Sequence, residues 1–347
     1  MRYGIVYMGS KEKILHLIDY IFYREHKKKN FIDLFCGGFS VSGFALQRTG
    51  FNVYANDLNH YVISLYHDLL SDEPNLDYYK YDWVSRRHFE EVRDNREDYP
   101  AWYVGYVLNV WSFGCNQKDY LYAKDLEEDK KAIHYALIFD DFSYMNQRET
   151  FKGFKVPYDI RKVKYFRYKQ KRISFMAKLK EYTKEKRKAQ ENETSSQLQQ
   201  LERLEQMENI SQMEHLEAII KNKKNRKRLT LSNMDWKEFY DSIPKDVLKD
   251  SFIYCDPPYE NTKQYLFGED FKHDEFWQWF RECPYPVYAS SYSAPNDIKR
   301  INYDYKAQLM DNGTKQRKTT KKYVEENIYW NGKGEPELTI IDQLFNE

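Results

Sequence analysis

Cysteine is scarce and scattered in this sequence. Cys36, Cys115, Cys255 and Cys283 are the four among 347 residues, and no two form a CxxC pair. That spacing speaks against a zinc site or a disulfide framework, so no metal is expected, and it suits a reducing, cytoplasmic compartment. Long apolar runs are lacking as well. Nothing approaches ~18 consecutive apolar residues, so no membrane span is expected, and residues 1–7 lack the apolar stretch of a signal peptide. Net charge is also small, at +1. A near-neutral total does not announce a nucleic-acid partner, but the distribution does. Residues 161–190 hold thirteen Lys/Arg against two Glu, 191–220 hold seven Glu against one Arg, and 221–228 add six Lys/Arg with no acid. A phosphate backbone responds to local charge, which averaging hides.

What is present allows a sizeable core: 41% of residues are hydrophobic and 17% aromatic, with 32 Tyr. Residues 1–60 read as an α/β unit. Ile14, Leu15, Leu17, Ile18, Ile21 and Phe22 recur at helical spacing over 11–24. A short apolar run at 31–35, a Gly-Gly turn, a helix start at 41–48 and a second strand at 51–55 follow. This is the opening of a parallel, doubly wound sheet. Residues 61–228 carry few strand signals and read as a mostly helical insertion, with helices around 61–70, 84–97 and 129–140. Within it Leu198, Leu201, Leu204, Met207, Ile210, Met213, Leu216 and Ile219 recur every third residue. An α-helix turns ~100° per residue, so this step drifts round the helix instead of making one stripe. Either a helix packs against several neighbours there, or the stretch is a 3₁₀-like or solenoid-like element; the Glu, Gln and Leu content favours helix. Residues 229–347 return to α/β, with strands at 251–255, 286–292 and 323–330 and helices at 274–282 and 338–344. The expected architecture is one α/β domain, 1–60 plus 229–347, split by an insertion at 61–228.

Three motifs carry chemistry. In the run from Asp33 and Phe35 through Gly37, Gly38, Ser40 and Val41, a strand ends in a glycine turn and a helix begins. Glycine lets a ligand approach the backbone, and the helix N-terminus offers free N–H groups; a plain tight turn reads the same way. Asp57 stands twenty residues after Gly37, at the end of the second strand. An acid there can accept both hydroxyls of a ribose, or cap a helix. The third is Asp256-Pro257-Pro258-Tyr259, directly after an apolar strand. Two prolines remove two N–H donors and leave carbonyls free. A carboxylate, those carbonyls and a ring then converge at the carboxyl end of a strand, where open sheets bind ligands. An exocyclic amine on a flat base suits that set, with Asp256 and the Pro257 carbonyl accepting its N–H groups and Tyr259 stacking.

With those residues in place, the chain resembles the Dam-like alpha group of DNA adenine-N6 methyltransferases and its phage-encoded relatives. The order of motifs is theirs: glycine turn, acidic strand end, long insertion, then the acid–Pro–Pro–Tyr corner. Tyr7, Met8 and Lys11 lie in a stretch similar to the family's N-terminal cofactor motif. Asp235 and Trp236 lie in one similar to the motif whose acid contacts the cofactor's adenine. Asn116, in the 111–116 stretch, and Tyr265 match segments of phage members, and 290–295 matches a later segment. Phe39 departs from the family, which commonly has a small residue there. The resemblance implies a Rossmann-like class I methyltransferase sheet, S-adenosyl-L-methionine as cofactor and double-stranded DNA as partner. It implies methyl transfer to adenine N6 after base flipping, in a self-protection or restriction–modification setting. An RNA adenine methyltransferase, a cytosine-N4 enzyme and an inactive methylase fold are the alternatives. Asn in place of Asp256, Ser in its place, or damage to a motif would favour them respectively. The insertion is expected to contact DNA through Arg161, Lys162, Lys164, Arg167, Lys169, Lys171 and Arg172, interleaved with Tyr165, Phe166 and Tyr168; the bland counterpart is a solvated helix face. No pattern fixes the oligomeric state or the DNA sequence recognised.

Overall fold

The computed structural model describes residues 3–5, 7, 9–76, 81–156, 169–189, 203–204, 207–259, 271–308 and 323–334. Helix α1 (Leu15–Arg24), strand β1 (Asn30–Asp33), α2 (Ser40–Arg48), β2 (Asn52–Asn56) and α3 (His60–Leu69) come first. Helices α4 (Arg86–Asp94), α5 (Ala101–Val110), α6 (Glu127–Phe139), α7 (Ser143–Asn146), α8 (Lys169–Ala189) and α9 (Glu208–Ile220) follow. The chain then returns through β3 (Leu229–Ser232), α10 (Trp236–Ser242), α11 (Lys245–Lys249), β4 (Ser251–Cys255), α12 (His273–Glu282), β5 (Val287–Ser291), β6 (Lys299–Gln308) and β7 (Tyr323–Trp330).

The seven strands among the described residues form one sheet in the order β3-β2-β1-β4-β5-β7-β6. The pairs from β3 to β5 are parallel, and β7 runs antiparallel to both β5 and β6. Strands β1, β4 and β5 are buried along their whole length, as continuous apolar strands covered on both faces must be. Their residues alternate between two cores. Phe31 pairs with Phe252 on one face, in an aromatic cluster with Phe22, Phe44 and Phe51 at centroid distances of 5.1–5.9 Å. Ile32, Ile253, Val287 and Ala289 face the other way onto Phe276, Trp277 and Phe280 of α12. The expected helix over 11–24 is a 3₁₀ turn at Lys11–Ile14 followed by α1.

By compactness the chain divides into two units. The first takes residues 1–74, 99–106 and 215–347; the second takes 75–98 and 107–214. Among the described residues no helix is long and apolar enough to cross a membrane. In the second unit Trp83 stacks on Tyr122 and meets Trp111 and His134 edge-on. The Arg86 guanidinium donates to Glu127 Oε2 (3.1 Å) and to the Tyr122 carbonyl. The every-third-residue repeat resolves as α-helix over 208–220. Met213, Leu216 and Ile219 are buried, and so are Gln212 and His215, so the buried positions form one broad face in which 212, 215, 216 and 219 follow helical spacing. Leu198 and Leu201 lie outside the described residues.

The second basic block, 221–228, is partly architectural. Arg228 donates to the Leu46 and Phe51 carbonyls at 2.7 and 2.6 Å, and Arg226 to the Leu70 carbonyl at 3.1 Å and to Asp72. Both satisfy carbonyls at or just past the ends of α2 and α3, which helices leave without partners.

Candidate active site

Because strand order reverses on either side of β1, the carboxyl ends of β1, β2 and β4 border one crevice, the position where open α/β sheets bind ligands. The first unit holds a cavity there of about 420 Å³. Asp33 ends β1, Asp57 follows β2, Asp235 follows β3, and Asp256 follows β4. All four line the cavity. So do Tyr7, Lys11 and Phe35, the glycine turn at Gly37 and Gly38, Ser40 and Val41 at the start of α2, and Trp236. Of the catalytic corner, Asp256 and Pro258 are part of the wall. Pro257 is buried and Tyr259 half-buried, and neither is part of it. Met8 and Tyr265 lie outside the described residues.

The glycine turn is shaped by close backbone contact. Gly37 has φ +42°, and a Cβ on Gly38 would stand 2.3 Å from Tyr7 Cβ and 3.0 Å from the Ile5 carbonyl. A Cβ on Gly4 would fall 2.0 Å from the Gly38 carbonyl oxygen, so residues 3–5 press directly on the turn. Phe39 occupies the left-handed region (φ 63°), and its buried ring lies 4.5 Å from that of Tyr66. The large residue thus fills core space and leaves the turn itself free. Asp57 accepts from Gly37 N (2.8 Å, Oδ2) and Asn59 N (2.9 Å, Oδ1). It is not the cap of α3: that role falls to Asn59, whose side chain accepts from Tyr61 N and Val62 N.

Asp33 is almost fully buried at 1% exposure. Its Oδ2 accepts from Ser42 Oγ at 2.6 Å. Its Oδ1 is buried and makes no hydrogen bond among the described residues. Burial, with repulsion from Asp256 and Asp57 adding to it, pushes its carboxyl up to about 7, against the Ser42 hydrogen bond and a weaker pull from the Phe35 backbone N–H. Burial also raises Asp57, against its two backbone hydrogen bonds, and holds the Cys36 thiol far from ionisation.

The Asp256 carboxylate is held on both oxygens. Lys11 Nζ stands 2.7 Å from Oδ2, while Ser290 Oγ and the Tyr259 hydroxyl donate to Oδ1 at 2.9 and 3.0 Å. The Lys11 ammonium also lies 5.0 Å from the centroid of the Tyr259 ring. Asp235 caps α10 by accepting from Lys237 N at 2.9 Å. Trp236 packs among Phe35, Phe271 and Phe276.

Several wall residues escaped the motif reading. Asn56 accepts from Met234 N (3.0 Å) and donates to the Leu34 and Met234 carbonyls (3.2 and 3.0 Å). It ties together the loops after β1, β2 and β3. Its place one residue before the acid was the available signal. Tyr254, Met234 and Phe271 also line the cavity; Met234 lies inside the stretch that carries Asp235 and Trp236, and Tyr254 in the strand before Asp256, but neither was singled out, and nothing local marks Phe271.

The residues expected to meet DNA are less well placed. Arg161, Lys162, Lys164 and Arg167 lie outside the described residues, and Lys169 and Lys171 open α8. Arg172 is turned inward onto Glu214, Nη1 to Oε1 at 2.5 Å, with its side chain 11% exposed. Asn116 closes a turn on itself, accepting from Lys118 N and Asp119 N and donating to Asp119 Oδ2.

A 3-2-1-4-5-7-6 sheet with its seventh strand reversed, and an acid-lined cavity at the carboxyl ends of its parallel strands, defines a Rossmann-like methyltransferase fold. The model of the D12 class N6 adenine-specific DNA methyltransferases matches residues 7–204, more than half of the chain, and the chain belongs to that family. The matched span takes in the N-terminal segment, the glycine turn and Asp57 and ends before Asp256. Comparison with curated proteins gave no match.

Proposed function

We propose that this chain is a site-specific DNA methyltransferase that moves a methyl group from S-adenosyl-L-methionine to N6 of an adenine flipped out of double-stranded DNA. The observation that carries this reading is the shared cavity: the glycine turn, Asp57 and Asp33 stand on the same walls as Asp256 and Pro258.

The residues fit the cofactor. Each Asp57 oxygen accepts one hydrogen bond and retains a lone pair for a ribose hydroxyl. The buried, unpartnered Asp33 Oδ1 suits an ammonium group. Gly37 and Gly38 bare the backbone, and Trp236 and Phe35 offer apolar surface to a purine. When bound, S-adenosyl-L-methionine supplies an electrophilic methyl group. Asp256 and the Pro257 carbonyl accept the N–H groups of the target amine, drawing N6 out of conjugation and freeing its lone pair. Asp256 Oδ2 can take the proton that N6 loses. Positioning and charge placement of this kind carry most of such a rate. Tyr259 stacks on the extruded base and offsets part of an unstacking cost of roughly a few kcal/mol.

A methyl-transfer assay on matched DNA and RNA, with mass spectrometry of the modified base, tests this. N6-methyladenine in DNA alone is expected. Asp256→Ala should abolish transfer and spare cofactor affinity, whereas Asp57→Ala should weaken that affinity at least tenfold. Near-normal turnover in the first variant, or preferential methylation of RNA, overturns the reading.

A further inference from the structure

The Asp256 carboxylate is fed from behind by a chain of two buried hydroxyls. Tyr254, 1% exposed, donates its phenol to Ser290 Oγ at 2.9 Å. Ser290, fully buried at the end of β5, donates in turn to Asp256 Oδ1 at 2.9 Å. The arrangement follows from the sheet. Strands β4 and β5 are parallel with Tyr254 opposite Tyr288 and Cys255 opposite Ala289. One further step of that register sets Asp256 beside Ser290. Tyr254 and Asp256, two apart on an extended chain, lie on the same face.

We infer that Tyr254 and Ser290 are positioning residues that fix the rotation of the Asp256 carboxylate: the Ser290 bond, beside that of Tyr259, occupies Oδ1, so that Oδ2 is the oxygen offered to the target amine once Lys11 moves off it. The inference rests on the proposed role of Asp256. A serine hydroxyl has one proton and can swing. By accepting from the Tyr254 phenol, Ser290 has that proton directed at Asp256. The relay moves no proton during the reaction; it sets the direction of an acceptor, to which rates are steeply sensitive. Tyr259 also donates to Oδ1, but from the loop after β4. The Tyr254–Ser290 pair belongs to two buried strands, so its geometry is set before any substrate arrives.

Single-turnover methylation of duplex DNA tests this with Ser290→Ala, Tyr254→Phe and the double variant, alongside cofactor and DNA dissociation constants and thermal melts. A hydrogen bond to a charged group is worth enough to change a rate by about tenfold to a hundredfold. Ser290→Ala should lose rate in that range, with both dissociation constants within about twofold of the parent. Tyr254→Phe, which keeps the ring and its packing, should lose less. Because Tyr254 acts through Ser290, adding Tyr254→Phe to Ser290→Ala should cost nothing further. Unchanged single-turnover rates, or losses that simply multiply in the double variant, overturn the relay. If Ser290→Ala does not fold, Tyr254→Phe decides alone: a slower step at unchanged affinities supports the relay, and an unchanged rate overturns it. Asp256→Ala run in parallel separates the two levels. If it is inactive while Ser290→Ala and Tyr254→Phe keep full rate, only the relay fails; if it is active, the site reading fails and takes the relay with it.

Discussion

Lys11 Nζ and Asp256 Oδ2 are 2.7 Å apart, with the lysine side chain 4% exposed and the aspartate 21%. An ammonium thus rests on the acceptor oxygen and over the Tyr259 ring, the two features that suit a base bearing an exocyclic amine. On the proposed reading, lysine and target amine compete for Oδ2, and the cation is expected to shift when the base docks. Removing one partner of a buried pair strands the other. Asp256 keeps two hydroxyl donors and some solvent contact, so Lys11→Met is expected to cost about 3 kcal/mol of stability in urea unfolding, the low end for a broken buried pair. Adding Asp256→Asn to Lys11→Met should recover most of that loss. Independent, additive costs would show that the two charges are not coupled.

The raised Asp33 carboxyl is expected to make stability, and on the proposed reading cofactor affinity, depend on pH. Burial raises its carboxyl to about 7 in the folded protein, against an ordinary value of 3.8. Between these values the folded state holds a proton that the unfolded chain has released. Stability is therefore favoured by this group below about pH 4 and declines as pH rises through about 7. Asp33→Asn carries no such titration. Its stability relative to the parent should climb by a few kcal/mol across that window and then level off. A cation placed on Asp33 Oδ1 reverses the preference, so S-adenosyl-L-methionine binding should expel a proton below pH 7 and tighten as pH approaches it. Calorimetry in buffers of different ionisation heat reads that proton directly. A dissociation constant flat from pH 5.5 to 8 would remove Asp33 from the cofactor's ammonium.

The glycine turn gives a steric prediction with its own control. A Cβ on Gly38 would lie 2.3 Å from Tyr7 Cβ, whereas one on Gly50 would meet nothing within 4 Å. Gly38→Ala must displace the N-terminal segment that carries Tyr7 and Lys11, and cofactor affinity should fall at least tenfold. Gly50→Ala should bind normally. Equal affinities in the two variants would mean that the turn and residues 3–11 move apart without consequence.

How much of this was legible in the chain depended on the kind of signal. The central strands announced themselves because β1, β4 and β5 are apolar and end at acids or at Ser290 and Ser291. Acids, glycines and prolines at those ends stand out in the sequence, so Asp33, Gly37, Asp57 and Asp256, which line one cavity, could be named from it. Strand β3 could not: Leu229–Ser232 is four residues long and follows a run of six cations, which masks it. Strand β6, from Lys299 to Gln308, is charged, as an edge strand often is to avoid pairing with another chain. Asn56, Tyr254 and Ser290 lie in or beside quoted stretches but were not named as site residues, for another reason. Their roles come from which strands lie side by side, and strand order is a tertiary fact. Charge by itself does not say which cations face solvent: Arg172, Arg226 and Arg228 all turn onto protein groups.

That last point separates two classes of cation in the insertion and yields a prediction for DNA binding. Arg172 is committed to Glu214, so Arg172→Ala should lower the melting temperature and leave the salt dependence of DNA affinity unchanged. Arg161, Lys162, Lys164 and Arg167 are proposed to pair with phosphates. Each cation–phosphate pair removed should reduce the slope of log affinity against log salt by about 0.9. Replacing all four with Gln should flatten that slope by up to about 3.6, with cofactor affinity intact because the cavity and its walls belong to the first unit. Titrations by fluorescence anisotropy between low and physiological salt measure both slopes. If the fourfold variant keeps the parental slope, DNA is held elsewhere on the protein. If Arg172→Ala alone flattens it, the ion pair with Glu214 opens when DNA binds.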